Sequence, residues 1–365
     1  MSYDVIQIST GKVGVHALRA ILRHPGLRLA GLWAHGADKH GRDAASLAGL
    51  PECGVRVSGD FDALLAQPAD CALYMAQVWG REEAALTDIE RLLRSGKNVI
   101  VPWLTYLHWA AFGRRYNPRA VERMEAACTA AGRSLLMTGC DPGFCTDTIP
   151  LVVTGACGEV EQVRFQEVLD YGGWHSELLF MPEFLGFGQP MDGPTPGFVT
   201  QAALEECWGC TLALIASGLG AELERMEQFE ARHPAPRRIE HSHGVIEPGT
   251  VAGRHFGLKG IVAGRPLVLF EHITYVGEAP PGWPALPGGA GGYRCIVDGF
   301  PGIEVSFAVR GANGDPVSGA EAVTATRCVN LVPAVCDAVP GIVDLFDLRL
   351  RDLTWRRPIR TPRPS

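Results

Sequence analysis

The residues of this chain best suited to chemistry sit in three short stretches. The first is Ser9-Thr10-Gly11-Lys12-Val13-Gly14, between an apolar run at residues 5–8 and an apolar-periodic run at residues 15–22. Binding a dinucleotide pyrophosphate uses glycines for a tight turn, for close approach of backbone to phosphate, and for close packing of helix on strand. Gly11 and Gly14 stand at the second and third of those positions, and Ser9 stands at the first. Amides that open the following helix favour an anion, so Ser9, Thr10, Gly11, Lys12, Val13 and Gly14 form the expected cofactor cradle. About 20 residues on, where an acid would hold the ribose hydroxyls of NAD, the chain offers His35, Lys39, His40 and Arg42. Such a cluster suits a 2′-phosphate, which makes NADP (as NADPH) the expected cofactor and NAD the second choice. Met75 and Ala76 at the end of one apolar run, Pro102 after another, and Asn330 in a late helix complete the expected cofactor surface.

The second stretch is "VPWLTYLHWAAF" (residues 101–112), which follows a strand at the carboxyl edge where ligands of open parallel sheets bind. Tyr106 and His108 are its candidate proton donors, and Trp103, Leu104 and Trp109 its candidate substrate-pocket walls. The third is "FQEVLDYGGWHSE" (residues 165–177), with Glu167, Asp170, Tyr171 and His175 as candidate acids or bases and Trp174 as a further pocket residue. In a strand Glu167 and Leu169 share one face, and Val168 and Asp170 the other. A hydride-transfer enzyme leaves the reactive carbon to its cofactor and itself supplies orientation, a dry pocket and a proton donor or acceptor. No metal is expected. Cys207 and Cys210 lack a second pair nearby, and "HSH" (residues 241–243) lacks a partnered Cys or acid and reads as a surface loop.

These stretches need elements to hold them. Strand patterns at 5–8, 27–33, 69–75, 97–101 and 134–139 alternate with helical patterns at 15–22, 82–95 and 119–131. That alternation predicts an α/β Rossmann-type, doubly wound parallel sheet. After "GCDPGF" (residues 139–144) the pattern changes to strands at 160–171, 249–257, 265–275, 293–299 and 303–309 with one helix at 200–217, an α+β domain with a mostly antiparallel sheet. The expected divisions are 1–145 for cofactor binding, 146–320 for substrate binding and dimerisation, and 321–365 for a C-terminal helix and arm packing back on the first domain. Pro333 is expected to interrupt that helix, and the Gly/Pro stretch at 277–292 reads as a binding loop or lid.

Composition narrows the partners. The 365 residues carry a net charge of -7, which argues against a nucleic-acid surface and for a small-molecule substrate. No apolar run approaches the roughly 18 residues of a membrane helix, and the first ten residues lack the pattern of a signal peptide. A cytoplasmic location, no membrane partner and reduced cysteines, eleven in all, are the expectation.

In "VIQISTGKVGVHALRAI", "GCDPGF", "FQEVLDYGG" with "GFGQP", "GTVAGRHFGLKGIVAGRPLVLFEHITYV", "GGYRCIVDG" and "TRCVNLVPAVCDAVPGI" the chain resembles a known family. It is similar to the dihydrodipicolinate-reductase-like NAD(P)-dependent oxidoreductases, the group of 2,4-diaminopentanoate dehydrogenase and the native amine dehydrogenases. The resemblance implies a Rossmann cofactor domain, a second domain covering the nicotinamide, and a homodimer. It also implies a glutamate pair that activates ammonia or water in the loop after the strand at 97–101, where this chain has Leu104 and Thr105. Their absence, beside Trp103 and Trp109, leads to the expectation of hydride transfer between nicotinamide C4 and the carbonyl carbon of a hydrophobic ketone or secondary alcohol. Reductive amination or imine reduction, with Glu167 or Asp170 replacing the lost glutamate, is the alternative. A nucleotide-binding regulatory protein without catalysis is the remaining one.

Overall fold

The computed structural model describes residues 2–173, 177–285 and 291–349. The chain forms two compact units, one of residues 1–110, 117–139 and 324 onward, the other of residues 111–116 and 140–323.

The first unit is built on seven parallel strands. Their order is Gly341–Val343, Ser134–Met137, Asn98–Val101, Cys71–Tyr74, Tyr3–Ile8, Leu27–Trp33 and Val57–Ser58. Successive side chains of a strand point to opposite faces, and here both faces are dry. Val5 joins Leu73, Ile100 and Leu136 in one apolar cluster, under the helices Lys12–Arg23 and Val332–Cys336. Ile6 and Ile8 join Val99, Val101 and Met137 in the other, under Glu82–Arg94 and Pro118–Ala131. Parallel strands buried on both faces make the doubly wound sheet that the alternating pattern predicts. The order reverses between Tyr3–Ile8 and Cys71–Tyr74, which places the glycine turn at the switch point. Two features differ from expectation. Gly341–Val343 adds an edge strand, three residues being too few to show a period. The late helix starts earlier, at Pro316, and ends at Asn330; Pro333 then lies in the first turn of a second helix, where its missing amide costs no bond.

The second unit is a six-stranded sheet in the order Ile303–Ala308, Gly292–Phe300, Glu159–Asp170, Arg265–Tyr275, Val251–Val262 and Arg225–Pro234. Only Glu159–Asp170 and Arg265–Tyr275 pair in parallel. One face buries Val163, Phe165, Phe256, Leu258, Val268 and Phe270 against Leu204, Trp208, Leu212 and Ile215 of the segment 201–218. That segment was expected as one regular helix. It contains a π turn at Glu205–Gly209, between Gln201–Leu204 and Cys210–Gly218. Arg225–Pro234 is a strand that its charged residues conceal in the sequence. The expected surface loop at 241–243 turns out to belong to a two-stranded hairpin, Ile239–His241 with Gly244–Ile246. Of the Gly/Pro stretch, residues 286–290 lie outside the described residues; Trp283 packs its ring against His233 and His255 at 5.9 and 5.7 Å.

Candidate functional site

In the first unit the glycine turn has the mechanics of a pyrophosphate site. Gly11 caps the helix Lys12–Arg23, and a Cβ added there would meet open space. At Gly14 an added Cβ would lie 2.6 Å from the Ser9 carbonyl oxygen, so helix and turn touch only because no side chain stands between them. Ser9 adopts φ 77°, in the left-handed region that a glycine would enter freely. The fully buried Gln7 amide holds the turn by donating to the Ser9 and Gly14 carbonyls, each at 2.8 Å. Lys39 Nζ donates to Thr10 Oγ1 at 3.1 Å, and His40 Nε2 lies 2.9 Å from the Ala34 carbonyl, which draws the basic loop onto the turn. His35, Lys12 and Arg42 are exposed and Val13 is half-buried. Met75 and Ala76 are buried at the end of their strand, where the Met75 amide donates to Ile8. Pro102 is buried beyond Asn98–Val101, and Asn330 is the half-buried last residue of its helix.

The loop after Asn98–Val101 is tied into the same unit. Tyr106 donates to Glu82 Oε1 at 2.6 Å, and His108 Nδ1 meets the Met137 carbonyl at 3.1 Å. Leu104, at φ 69°, turns the chain into the short 3-10 helix Thr105–Leu107. Trp109 packs edge-on to Phe346 at 6.4 Å. The buried indole nitrogen of Trp103 has no hydrogen-bond partner among the described residues.

The second unit gathers a set of acids. Strand register places Tyr293, Glu167 and His272 side by side on three adjacent strands. Glu167 accepts from the Tyr293 hydroxyl at 3.0 Å and from His272 Nε2 at 3.2 Å. It also shares a hydrogen bond with Asp141. Asp141 Oδ1 accepts from Thr146 Oγ1 at 2.8 Å and from Trp208 Nε1 at 2.9 Å. The Tyr171 hydroxyl is 3.5 Å from His272 Nε2. Cys140 Sγ lies 3.4 Å from both Cys145 Sγ and the Tyr293 hydroxyl. Glu167, His272, Tyr171 and Tyr293 are buried, and Asp141, half-buried as a whole residue, has its carboxyl enclosed. Asp170 points elsewhere, accepting the amides of Gly172 and Gly277 at 2.8 and 3.1 Å. Trp174 and His175 lie outside the described residues.

The two carboxyl groups are shifted in opposite directions. Burial, then the charge of Glu167 and the hydrogen bond between them, push Asp141 well above the usual carboxylate range. Burial alone would raise Glu167 too. Electrostatic interaction with His272 and hydrogen bonds from His272, Asp141 and Tyr293 outweigh that and hold it below its usual range. Two carboxylates in contact cannot both ionise cheaply, and the opposite shifts favour one proton on the pair, on Asp141. Burial and the neighbouring carboxyls likewise raise the Tyr171 hydroxyl, which stays a neutral donor. The arrangement can release one proton and can hold a cation.

The sequence-based reasoning picks out Glu167 and Tyr171 but not Asp141, His272 or Tyr293. Asp141 stands in the quoted "GCDPGF", a position the crossover makes visible; the other two depend on strand register, which no local pattern encodes.

Comparison with known proteins agrees with this architecture. Residues 144–355 match the family model of the 2,4-diaminopentanoate dehydrogenase C-terminal domain. An amine dehydrogenase of Streptomyces virginiae is 32% identical over 351 residues, 95% of this chain and 96% of that protein. The 2,4-diaminopentanoate dehydrogenase of Acetoanaerobium sticklandii is 24% identical over 242 residues, 65% of this chain and 64% of that one. Among solved structures, an amine dehydrogenase from Mycobacterium smegmatis superposes with a TM-score of 0.74 at 18% identity, covering 98% of both chains.

Proposed function

The chain belongs to the 2,4-diaminopentanoate and amine dehydrogenase family of nicotinamide-dependent oxidoreductases, and from that premise we propose that it is an amine dehydrogenase, reducing the iminium formed from a ketone and ammonia. The observation that carries this reading is Glu167, a buried carboxylate held in its ionised form. A fixed negative charge stabilises a cationic iminium and would oppose the alkoxide that develops when a ketone is reduced directly. It also offers an acid in place of the loop glutamates that Leu104 and Thr105 replace. Trp103 and Trp109 favour an apolar substrate.

NADP is the preferred cofactor in this reading, supported by Lys39 on the phosphate turn and by exposed His35 and Arg42, charges matched to a 2′-phosphate. The protein works as a homodimer, supported by the partly exposed Phe229, Leu269 and Tyr275 on the sheet face opposite Trp208. The deciding assay follows NADPH and NADH consumption against aliphatic, cyclic and polycyclic ketones, each with and without ammonium. Turnover that requires ammonium, and is faster with NADPH, is expected. Equal turnover without ammonium would make the protein a carbonyl reductase, the reading that the missing loop glutamates first suggest.

A further inference from the structure

We propose that Asp141 is the catalytic acid of this site, protonating the carbinolamine hydroxyl so that water leaves, with Glu167, His272 and Tyr293 as positioning residues that keep one shared proton on Asp141. This rests on the amine dehydrogenase reading.

Three observations place the role on Asp141 rather than on its neighbours. It lies outside regular structure, at the start of the second unit, whereas Glu167, His272 and Tyr293 are fixed on adjacent strands. Thr146 and Trp208 both donate to Oδ1, which leaves the other oxygen to carry the proton toward Glu167. The titratable groups around it are Glu167, Tyr171, His272, Tyr293, Cys140, Cys145 and Cys207, and Glu167 shares a hydrogen bond with Asp141.

The proton balance closes. Ammonia adds to the ketone carbon, and a proton passes from nitrogen to oxygen to give the neutral carbinolamine. Asp141 gives its proton to the carbinolamine oxygen, the C–O bond breaks, water leaves, and the nitrogen lone pair makes the C=N bond. The iminium charge then lies beside two carboxylates, Asp141 and Glu167. A reduced nicotinamide would supply the hydride that turns this carbon into the neutral amine, and an ammonium ion returns the proton to Asp141, freeing the ammonia of the next turnover. In the deamination direction oxidation precedes hydration, and Asp141, as a carboxylate, acts as the base that activates water.

Asp141→Asn is the discriminating variant, because an amide keeps an oxygen acceptor for Thr146 and Trp208 and an N–H for Glu167 yet cannot release a proton. The amine corresponding to the fastest ketone of the panel is mixed with oxidised cofactor and the variant. A burst of about one equivalent of reduced cofactor per site is expected, followed by a steady state slowed by about 10²- to 10⁴-fold. The native rate of amination falls as pH rises through the raised Asp141 pKa, since the donor is then lost; that alkaline limb is absent in the variant. Burst and steady state falling together, or neither falling, would overturn the assignment. Tyr293→Phe removes one bond to the Glu167 anion and is expected to move the alkaline limb to higher pH without abolishing it; an unmoved limb counts against positioning. Loss of ammonium dependence in the native protein sinks the amine reading itself, whereas native ammonium dependence with an unimpaired Asp141→Asn sinks only the role of Asp141.

Discussion

Gly14 shows how much one missing side chain can decide. With 2.6 Å between its would-be Cβ and the Ser9 backbone oxygen, Gly14→Ala must move either the helix or the turn, and neither end of that contact is a flexible side chain. We expect a loss of about 1 to 3 kcal/mol in urea unfolding, as for other overpacked sites, together with weaker NADPH binding by fluorescence titration. Retained affinity would separate the packing role of Gly14 from the cradle. Residue types alone put this glycine and Glu167 among the candidates. They could not make Asp141 readable, because its importance comes from what surrounds it. An aspartate in a loop is ordinarily a solvated acid or a turn residue, and only enclosure beside a second carboxylate turns it into a proton donor.

Elements explain why that enclosure forms. The row Tyr293–Glu167–His272–Phe256 crosses four strands, and a slip of one residue in any pairing would send its member to the opposite face. The β-rich runs were legible because apolar residues mark them; their pairing was not, since it is decided by contacts far apart in sequence. The π turn at Glu205–Gly209 was equally hidden, for it needs no special residue. Its effect is local and specific. Leu204 and Trp208 both face the core, and the Trp208 ring stacks on Phe270 at 4.2 Å while its N–H reaches Asp141. Trp208→Phe keeps the stack and deletes the donor. It should cost about 1 kcal/mol in unfolding experiments, and because that hydrogen bond lowers the Asp141 pKa, it should also move the alkaline limb of amination upward. An unchanged limb would mean that the indole serves packing alone.

At the scale of the molecule, the two fold classes, parallel and mostly antiparallel, were both written in the pattern, because a switch from helical to strand period at 139–144 is visible without any knowledge of contacts. Self-association is the property of the whole chain that follows from the proposed function, and light scattering behind size exclusion should return twice the 39.3 kDa of one chain. A monomeric mass would leave Phe229, Leu269 and Tyr275 uncovered and remove the dimer from the reading.

The closing helices of the first unit have a further consequence. Val329, Leu331, Val332 and Val335, all fully buried, complete the cluster begun by Val5 and Leu18, and Gly341–Val343 pairs with Ser134–Met137. A ribosome therefore releases every residue of the second unit before the first can close. At about 5 to 20 residues per second, synthesis from residue 323 to Val343 takes roughly 1 to 4 s. Throughout it one apolar side of the nascent parallel sheet stands open, a window in which a chaperone, or a neighbouring chain on the same message, competes with the helices Pro316–Asn330 and Val332–Cys336 for that surface.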